Sequence, residues 1–419
     1  MHLHSFPGRP LATALRAGAL VLGLGGGAGA LASDAGPSWS FSGFGTLGVV
    51  HSSEKNADFT SSVLKRHGAG RTHSWSPNVD SRLGAQLDLS QGRWSAVLQV
   101  ISEQRLDGSY RPELEWANVK YQLTPDLALR AGRIALPMFL SADYRKVGYT
   151  VPWVRPPAEV YGTLPIANSD GVDVTWRWSA GAVRNATQVH YGRTDLDLND
   201  SKDASARDMV GLSHSLEAGA FSARASVIHA KVRLGIGTEM FSALRQFGPQ
   251  GTALAERYEA DNVRATVYGV GFSYDPGHWF VTAETGRIRT DSFIGKTRAL
   301  YGSVGYRHGP FTPYLAFARV RSDEPIEVPA LSLHGLPPRQ QAALAGLRAG
   351  LDALLRTIPV QRTVTAGLRW DLVDDFALKL QYDRVTPQGG SRGTLINTNG
   401  AFNSGDTAHV ASIALDFVF

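Results

Sequence analysis

The sequence predicts an all-β protein: a closed, antiparallel, up-and-down transmembrane β-barrel of about sixteen strands, with short periplasmic turns and long external loops. Two observations carry that expectation. Segments of about ten residues alternate apolar and polar side chains, the length and period of a tilted membrane-spanning strand. The connections between them alternate short and long along the whole chain, as an up-and-down membrane barrel requires and a soluble β-sandwich does not.

Composition narrows the classes further. The chain has no cysteine, so disulfides, thiolate metal sites and thiol nucleophiles are excluded together. The formal charge of +5 becomes +3 without residues 1–32, which hold Arg9 and Arg16 and no acid. That excess is too small, and too free of Lys/Arg blocks, for a nucleic-acid binder. Residues 1–32 read as a secretory signal peptide: the two arginines precede an apolar, glycine-rich run over 17–31, and Ala30-Leu31-Ala32 supplies the cleavage site. The run falls short of the ~20 apolar residues of a spanning helix. No later stretch reaches that length, so residues 33–419 are either secreted or set in a membrane as strands.

Taken in order, the first strand covers 39–50 (WSFSGFGTLGVV). Its Gly43, Gly45 and Gly48 form a formal G-x-G-x-x-G, but no strand precedes it and no helical pattern follows, so it is not a dinucleotide fingerprint. Over 80–89, Leu83, Ala85, Leu87 and Leu89 alternate with Arg82, Gly84, Gln86 and Asp88. A turn at 90–92 leads to Trp94, Ala96, Leu98 and Val100. Residues 115–123 set Ala117, Val119 and Tyr121 against Asn118, Lys120 and Gln122, and Thr124-Pro125-Asp126 turns into a fifth strand over 127–134. Eleven more are expected over 171–179, 186–193, 208–216, 220–232, 262–274, 279–289, 298–307, 311–321, 360–372, 376–385 and 407–419. Long connections fall at 51–79, 105–114, 135–170, 194–207, 233–261, 290–297, 322–359 and 386–406. An even strand count returns both ends to one side, so closure leaves no open edge in the bilayer. Trp94, Tyr121, Trp279, Phe311, Trp370 and Phe376 lie next to turns, where interfacial girdles belong.

The third long connection, 135–170, carries five prolines (137, 152, 156, 157 and 165), three tyrosines and charges of both signs, too irregular for a helix. Loops this long without secondary structure are uncommon unless functional. It is expected to fold into the lumen and narrow it. Helical patterns occur within the loop 322–359, over 338–357, and over 238–245 and 252–261 in the fifth loop; these are expected at the mouth.

With these residues in view, the chain resembles the Gram-negative outer-membrane porins of the sixteen-stranded, trimeric kind. The resemblance covers residues 33–419 and rests on the A-x-A signal, the loop alternation, the C-terminal Phe419 and the G-R…P opening at Gly132, Arg133 and Pro137. The stretch WDLVDDFALKLQYD over 370–383 is similar to a penultimate porin hairpin. Anion- and phosphate-selective and dicarboxylate-type porins are nearest; the acidic loop tip of general porins is not recognisable. The resemblance implies a passive diffusion channel for small hydrophilic solutes, a homotrimer set in outer-membrane lipid, no cofactor, and Phe419 as a signal for the barrel-assembly machinery.

Alternation directs Arg82, Arg93, Arg105, Lys120, Arg130, Arg177, Arg224, Arg264, Arg307, Arg369 and Lys379 inward, with Asp88, Glu103, Asp173, Glu284, Asp371, Asp383 and Asp416. The cationic excess predicts a preference for anions. Arg82, Lys120 and Arg130 form a basic wall; Arg133, of opposite parity to Arg130, is inward only if its strand is bulged. The third loop supplies Asp143, Tyr144, Arg145, Lys146, Arg155 and Glu159. These either face solutes across a narrow passage, where rings of cations favour anions, or pair among themselves and hold the loop rigid. No H-E-x-x-H, G-x-S-x-G or metal-spaced histidine pair points to an enzyme. A structural or adhesive barrel with a closed lumen remains the alternative, with a barrel hydrolase behind it.

Overall fold

A computed structural model describes residues 36–164, 166–198, 203–329 and 336–419. The expected signal peptide lies outside the described residues. Sixteen long strands run β1 (Ser38–Ser52), β2 (Arg82–Gln91), β3 (Trp94–Glu103), β4 (Glu113–Gln122), β5 (Leu127–Ala135), β6 (Asn168–Ala180), β7 (Val183–Asp197) and β8 (Asp203–Ala218). They continue as β9 (Phe221–Leu234), β10 (Val263–Tyr274), β11 (Trp279–Thr290), β12 (Thr297–Tyr306), β13 (Phe311–Ser322), β14 (Gln361–Val373), β15 (Phe376–Pro387) and β16 (Ala408–Val418).

Each strand pairs antiparallel with the next, and β1 closes the ring by pairing with β16 from Phe44↔Val418 to Ser52↔Val410. All sixteen lie where the alternation placed them. One loop was misjudged: β7 and β8 run past the membrane into what was expected as a connection over 194–207, leaving only 198–202 between them.

The outer face carries the apolar parity. Leu47, Val270, Leu315 and Ile413 are half or more exposed, which in water would be untenable over so wide a band and in lipid is burial. Below it, towards the short turns, aromatic side chains pair across strands, as Phe311 and Trp370 do with ring centroids 5.6 Å apart.

Gly43 and Gly45 find their role at the seam. The Phe419 and Phe417 rings lie across them, so that a Cβ would stand 2.1 Å and 2.3 Å from ring carbons. Phe419 also exchanges backbone hydrogen bonds with Gly43 at 2.8 and 3.0 Å. The glycine spacing serves close ring-on-strand approach at closure.

Three external helices, α1 (Thr238–Arg245), α2 (Gly248–Tyr258) and α3 (Pro338–Leu355), bury Phe241, Leu244, Leu254, Leu344, Leu351 and Leu355 in one cluster. The second begins four residues before its apolar pattern because Pro249, in the first turn, already has helical φ. The first long loop folds back as a small hairpin, Asp58–Phe59 with Ala69–Gly70, packed against Val385, Leu395 and Val410.

Candidate pore constriction

The third loop, residues 136–167, crosses the lumen. Among its described residues it contains only single turns, a 3-10 turn at Gly148–Thr150 and a π turn at Ala158–Gly162. Its shape comes from what it touches, because a loop inside a barrel must satisfy its backbone groups against the walls.

Leaving β5, the chain first meets β9 to β11. Ser226 donates to the Met138 carbonyl at 2.6 Å, Arg224 to the Phe139 carbonyl at 2.7 Å, and the Leu140 N–H donates to Glu284 at 2.8 Å. Tyr161 and Tyr301 also donate to Glu284. The loop then swings to the opposite side, where Lys146 bridges Glu103 on β3 (2.8 Å) and Glu115 on β4 (3.0 Å). Its middle returns to β14–β16. Lys379 donates to the carbonyls of Gly148, Val151 and Trp153, Arg369 to those of Tyr149 and Val151, and the Val154 N–H donates to Gln381.

Arg155 and Glu159 do not line an open passage. Arg155 is buried, donating to both oxygens of Asp80 (2.9 and 2.6 Å), to Asp383 (3.0 Å) and to Ser412 (2.6 Å). Glu159 is buried, accepting from Gln361 at 2.7 Å and from Thr363. For these two, pairing that holds the loop rigid replaces the expected exposure to solutes. Desolvating charges so fully requires this density of partners. Asp143 is half-buried and pairs with Arg224 at 3.3 Å. Tyr144 packs partly buried against the apolar cluster around Phe139, and Arg145, also half-buried, lies beside it in the loop.

Opposite the anchored flank, the inner faces of β4–β6 are basic and far less encumbered. Lys120 and Arg130 are register partners, and Arg177 follows on β6. Asp173 takes Arg130 at 2.7 Å. Lys120 and Arg177 are half-buried without an ion pair among the described residues. Arg82 points inward on β2 and donates to the Lys146 carbonyl at 3.5 Å. Asp173, which tempers this patch, was read from alternation as an inward acid but not as the partner of Arg130.

Two further expectations are corrected. Arg133 shares the parity of the outward Leu129 and makes a bidentate pair with Asp170 on the outer wall, at 2.7 and 2.8 Å. Arg264 is exposed on the outward face of β10, because Ala265 and Val267 turn inward, Val267 into the cluster formed with the third loop.

A profile of the family described as Gram-negative porin matches residues 17–417. The chain belongs to the Gram-negative porin family. The porin is thus an outer-membrane diffusion channel, and both family and fold point away from catalysis. Its barrel is similar to OmpF of Salmonella typhi, solved with daunomycin, at 12% identity and TM-score 0.54 over 91% of this chain and 97% of that one. It is similar to an anion-selective porin from Comamonas acidovorans at 12% identity and TM-score 0.53, over 92% and 100%. The outer-membrane channel DcaP of Acinetobacter baumannii gives 10% identity and TM-score 0.51, over 93% and 99%. At those identities the likeness is one of fold. No curated protein matches the chain.

Proposed function

We propose that this porin is a homotrimeric, weakly anion-preferring channel in which solutes pass between the third loop and the inner wall of β4–β6. The observation that carries the reading is the convergence of Lys120, Arg130 and Arg177 on that wall with Asp173 as the acid beside them. In a passage bounded by low dielectric, unpaired cations raise the local concentration of anions and lower that of cations. The anion selectivity of the Comamonas porin of similar fold is consistent with this.

The trimer rests on β2–β5, which are only 10, 10, 10 and 9 residues long and make one low side of the wall. The loop over 104–112 is the latch onto the neighbouring copy. Residues 1–32 direct export, and Phe419 is presented to the assembly machinery.

The test is reversal potential in a planar bilayer under a KCl gradient. Lys120→Gln with Arg177→Gln is the informative variant, since Arg130 must stay to neutralise Asp173. Wild type should conduct in steps of three and reverse towards the chloride potential, and the variant should lose most of that bias at similar conductance. An unchanged reversal potential would sink the assignment. Absence of conductance from folded protein would favour the adhesive reading, which the external helices α1–α3 support.

A further inference from the structure

The inner wall of β4–β6 continues past its cations to a histidine. On β7, Val189 and Tyr191 face lipid and are half exposed, while His190 between them faces the lumen and is 1% exposed. The sheet register sets it in a single row: Lys120 stands beside Arg130, Arg130 beside Asp173, Asp173 beside His190, and His190 beside Gly211. Gly211 makes room for the ring, since a Cβ there would stand 2.0 Å from the His190 Cε1.

Two features separate this ring from a histidine that only fills space. Its Nδ1 and Nε2 are both shielded from solvent without a hydrogen-bond partner among the described residues. A neutral imidazole brings one donor and one acceptor, and burying both unmet is unfavourable. The second feature is the acid beside it. Asp173 holds Arg130 through Oδ2 at 2.7 Å, whereas its Oδ1 accepts from Thr175 at a long 3.3 Å. Side chains directly opposite in an antiparallel pair have Cβ atoms ~4.5–5.5 Å apart, which puts that oxygen within reach of an imidazolium N–H after a change of rotamer. Taking an imidazolium out of water is costly unless a carboxylate faces it, and here one does. Among the described residues, Asp173 and Arg130 are the charged groups whose fields reach His190, and the third loop adds none. The other inward residues around it, Gln188 and Gly192 on β7 and Met209 and Ser213 on β8, do not titrate.

We propose that His190 is a specificity-determining residue of the channel, whose protonation strengthens the anion preference of the wall formed by Lys120, Arg130 and Arg177. Histidine is the side chain whose ordinary charge change falls between about pH 5 and 8. With the ring neutral, Asp173 faces Arg130 alone and cancels most of its field. With the ring protonated, the imidazolium takes Oδ1, Asp173 is shared between two cations, and the field of Arg130 is uncovered towards the passage. The wall gains one positive charge, and the local concentration of anions rises. The inference rests on the reading of β4–β6 as the wall of the passage.

The test is the reversal potential of purified full-length porin in a planar bilayer under a fixed KCl gradient, followed from about pH 8 to about pH 5. Wild type should shift further towards the chloride potential as pH falls, and His190→Gln should stay flat. A flat wild type overturns the proposal. So does an equal shift in His190→Gln, which would place the titrating group among the lumen carboxylates. If no variant at position 190 folds, Asp173→Asn decides: without the acid the imidazolium loses its partner, so the midpoint of the shift should move to lower pH. An unmoved midpoint overturns the proposal. An anion preference that ignores pH leaves the channel reading standing, whereas a channel without anion preference at any pH overturns both.

Discussion

Lys379 and Asp416, both fully buried, face each other at 2.7 Å on the inner walls of β15 and β16. The lysine spends its three N–H groups on the carbonyls of Gly148, Val151 and Trp153, at 2.6, 2.7 and 2.9 Å. Asp416 accepts from Thr46 through Oδ1, and its Oδ2 meets the ammonium as counter-ion without a directed hydrogen bond. The pair therefore does more than balance charge: it fixes the middle of the third loop.

Replacing Lys379 by Met leaves the buried Asp416 carboxylate without its counter-ion and takes a donor from three loop carbonyls, of which Val151 keeps Arg369 and Gly148 the Val151 N–H. Breaking a buried pair from one side costs about 3–5 kcal/mol, read by urea unfolding of the porin refolded into vesicles. Conductance should become larger and noisier as the loop detaches. Lys379→Met combined with Asp416→Leu removes the stranded charge and should recover much of the stability without restoring a steady current. A single variant as stable as wild type would mean the loop is held elsewhere.

Selectivity set by the long-range field of Lys120, Arg130 and Arg177 must weaken with salt. The screening length shrinks from about 10 Å at 0.1 M to about 3 Å at 1 M. At a fixed concentration ratio, the reversal potential should therefore move towards zero as both solutions are raised through that range. A potential independent of salt would place selection in close contact with the ion rather than in the field of the wall.

These outcomes follow the uneven legibility of the sequence. Strand parity was readable wherever one face meets lipid and the other meets water, as at Leu83, Ala85 and Leu87 against Arg82, Gln86 and Asp88. It failed at Arg264, because the lumen there is not aqueous. The third loop fills it, and Met138, Phe139, Ile228, Val267, Tyr301 and Tyr314 form an apolar cluster inside the barrel. Both faces of β10 are then apolar in part, and alternation carries no sign. Arg155 and Glu159 were recognised as loop charges, but their partners Asp80 and Gln361 lie 75 and 202 residues away. No local pattern encodes such a contact.

The first external loop offers a pH-dependent case outside the membrane wall. Lys65 is buried, its Nζ donating to the Asn78 carbonyl at 3.3 Å and lying 3.7 Å from Glu103. Burial pushes the ammonium below the usual lysine value of 10.5, against the attraction of Glu103. In the window between that lowered value and 10.5 the unfolded chain holds a proton that the folded loop has released. Stability therefore rises with pH through the window, and the deficit is complete below it. The thermal midpoint, followed from neutral into alkaline pH, should climb there relative to Lys65→Met. Parallel profiles for the two proteins would exclude Lys65 as the titrating group.

The seam between β1 and β16 gives the sharpest steric prediction. A side chain at Gly45 points at lipid, where an extra apolar group would ordinarily be harmless, yet its Cβ would fall 2.3 Å from the Phe417 ring. That ring stacks between Phe376 at 5.9 Å and Phe419 at 6.4 Å, so it cannot swing aside without disturbing both. Gly302, on the lipid face of β12, has nothing within 4 Å of the same construction. Gly45→Val should therefore lower the yield of compact, heat-modifiable barrel, while Gly302→Val leaves it unchanged. Removing the obstructing ring by Phe417→Ala in the Gly45→Val background should restore assembly. If it does not, the glycine acts through strand conformation rather than through room for the ring, and the closure argument fails at its central contact.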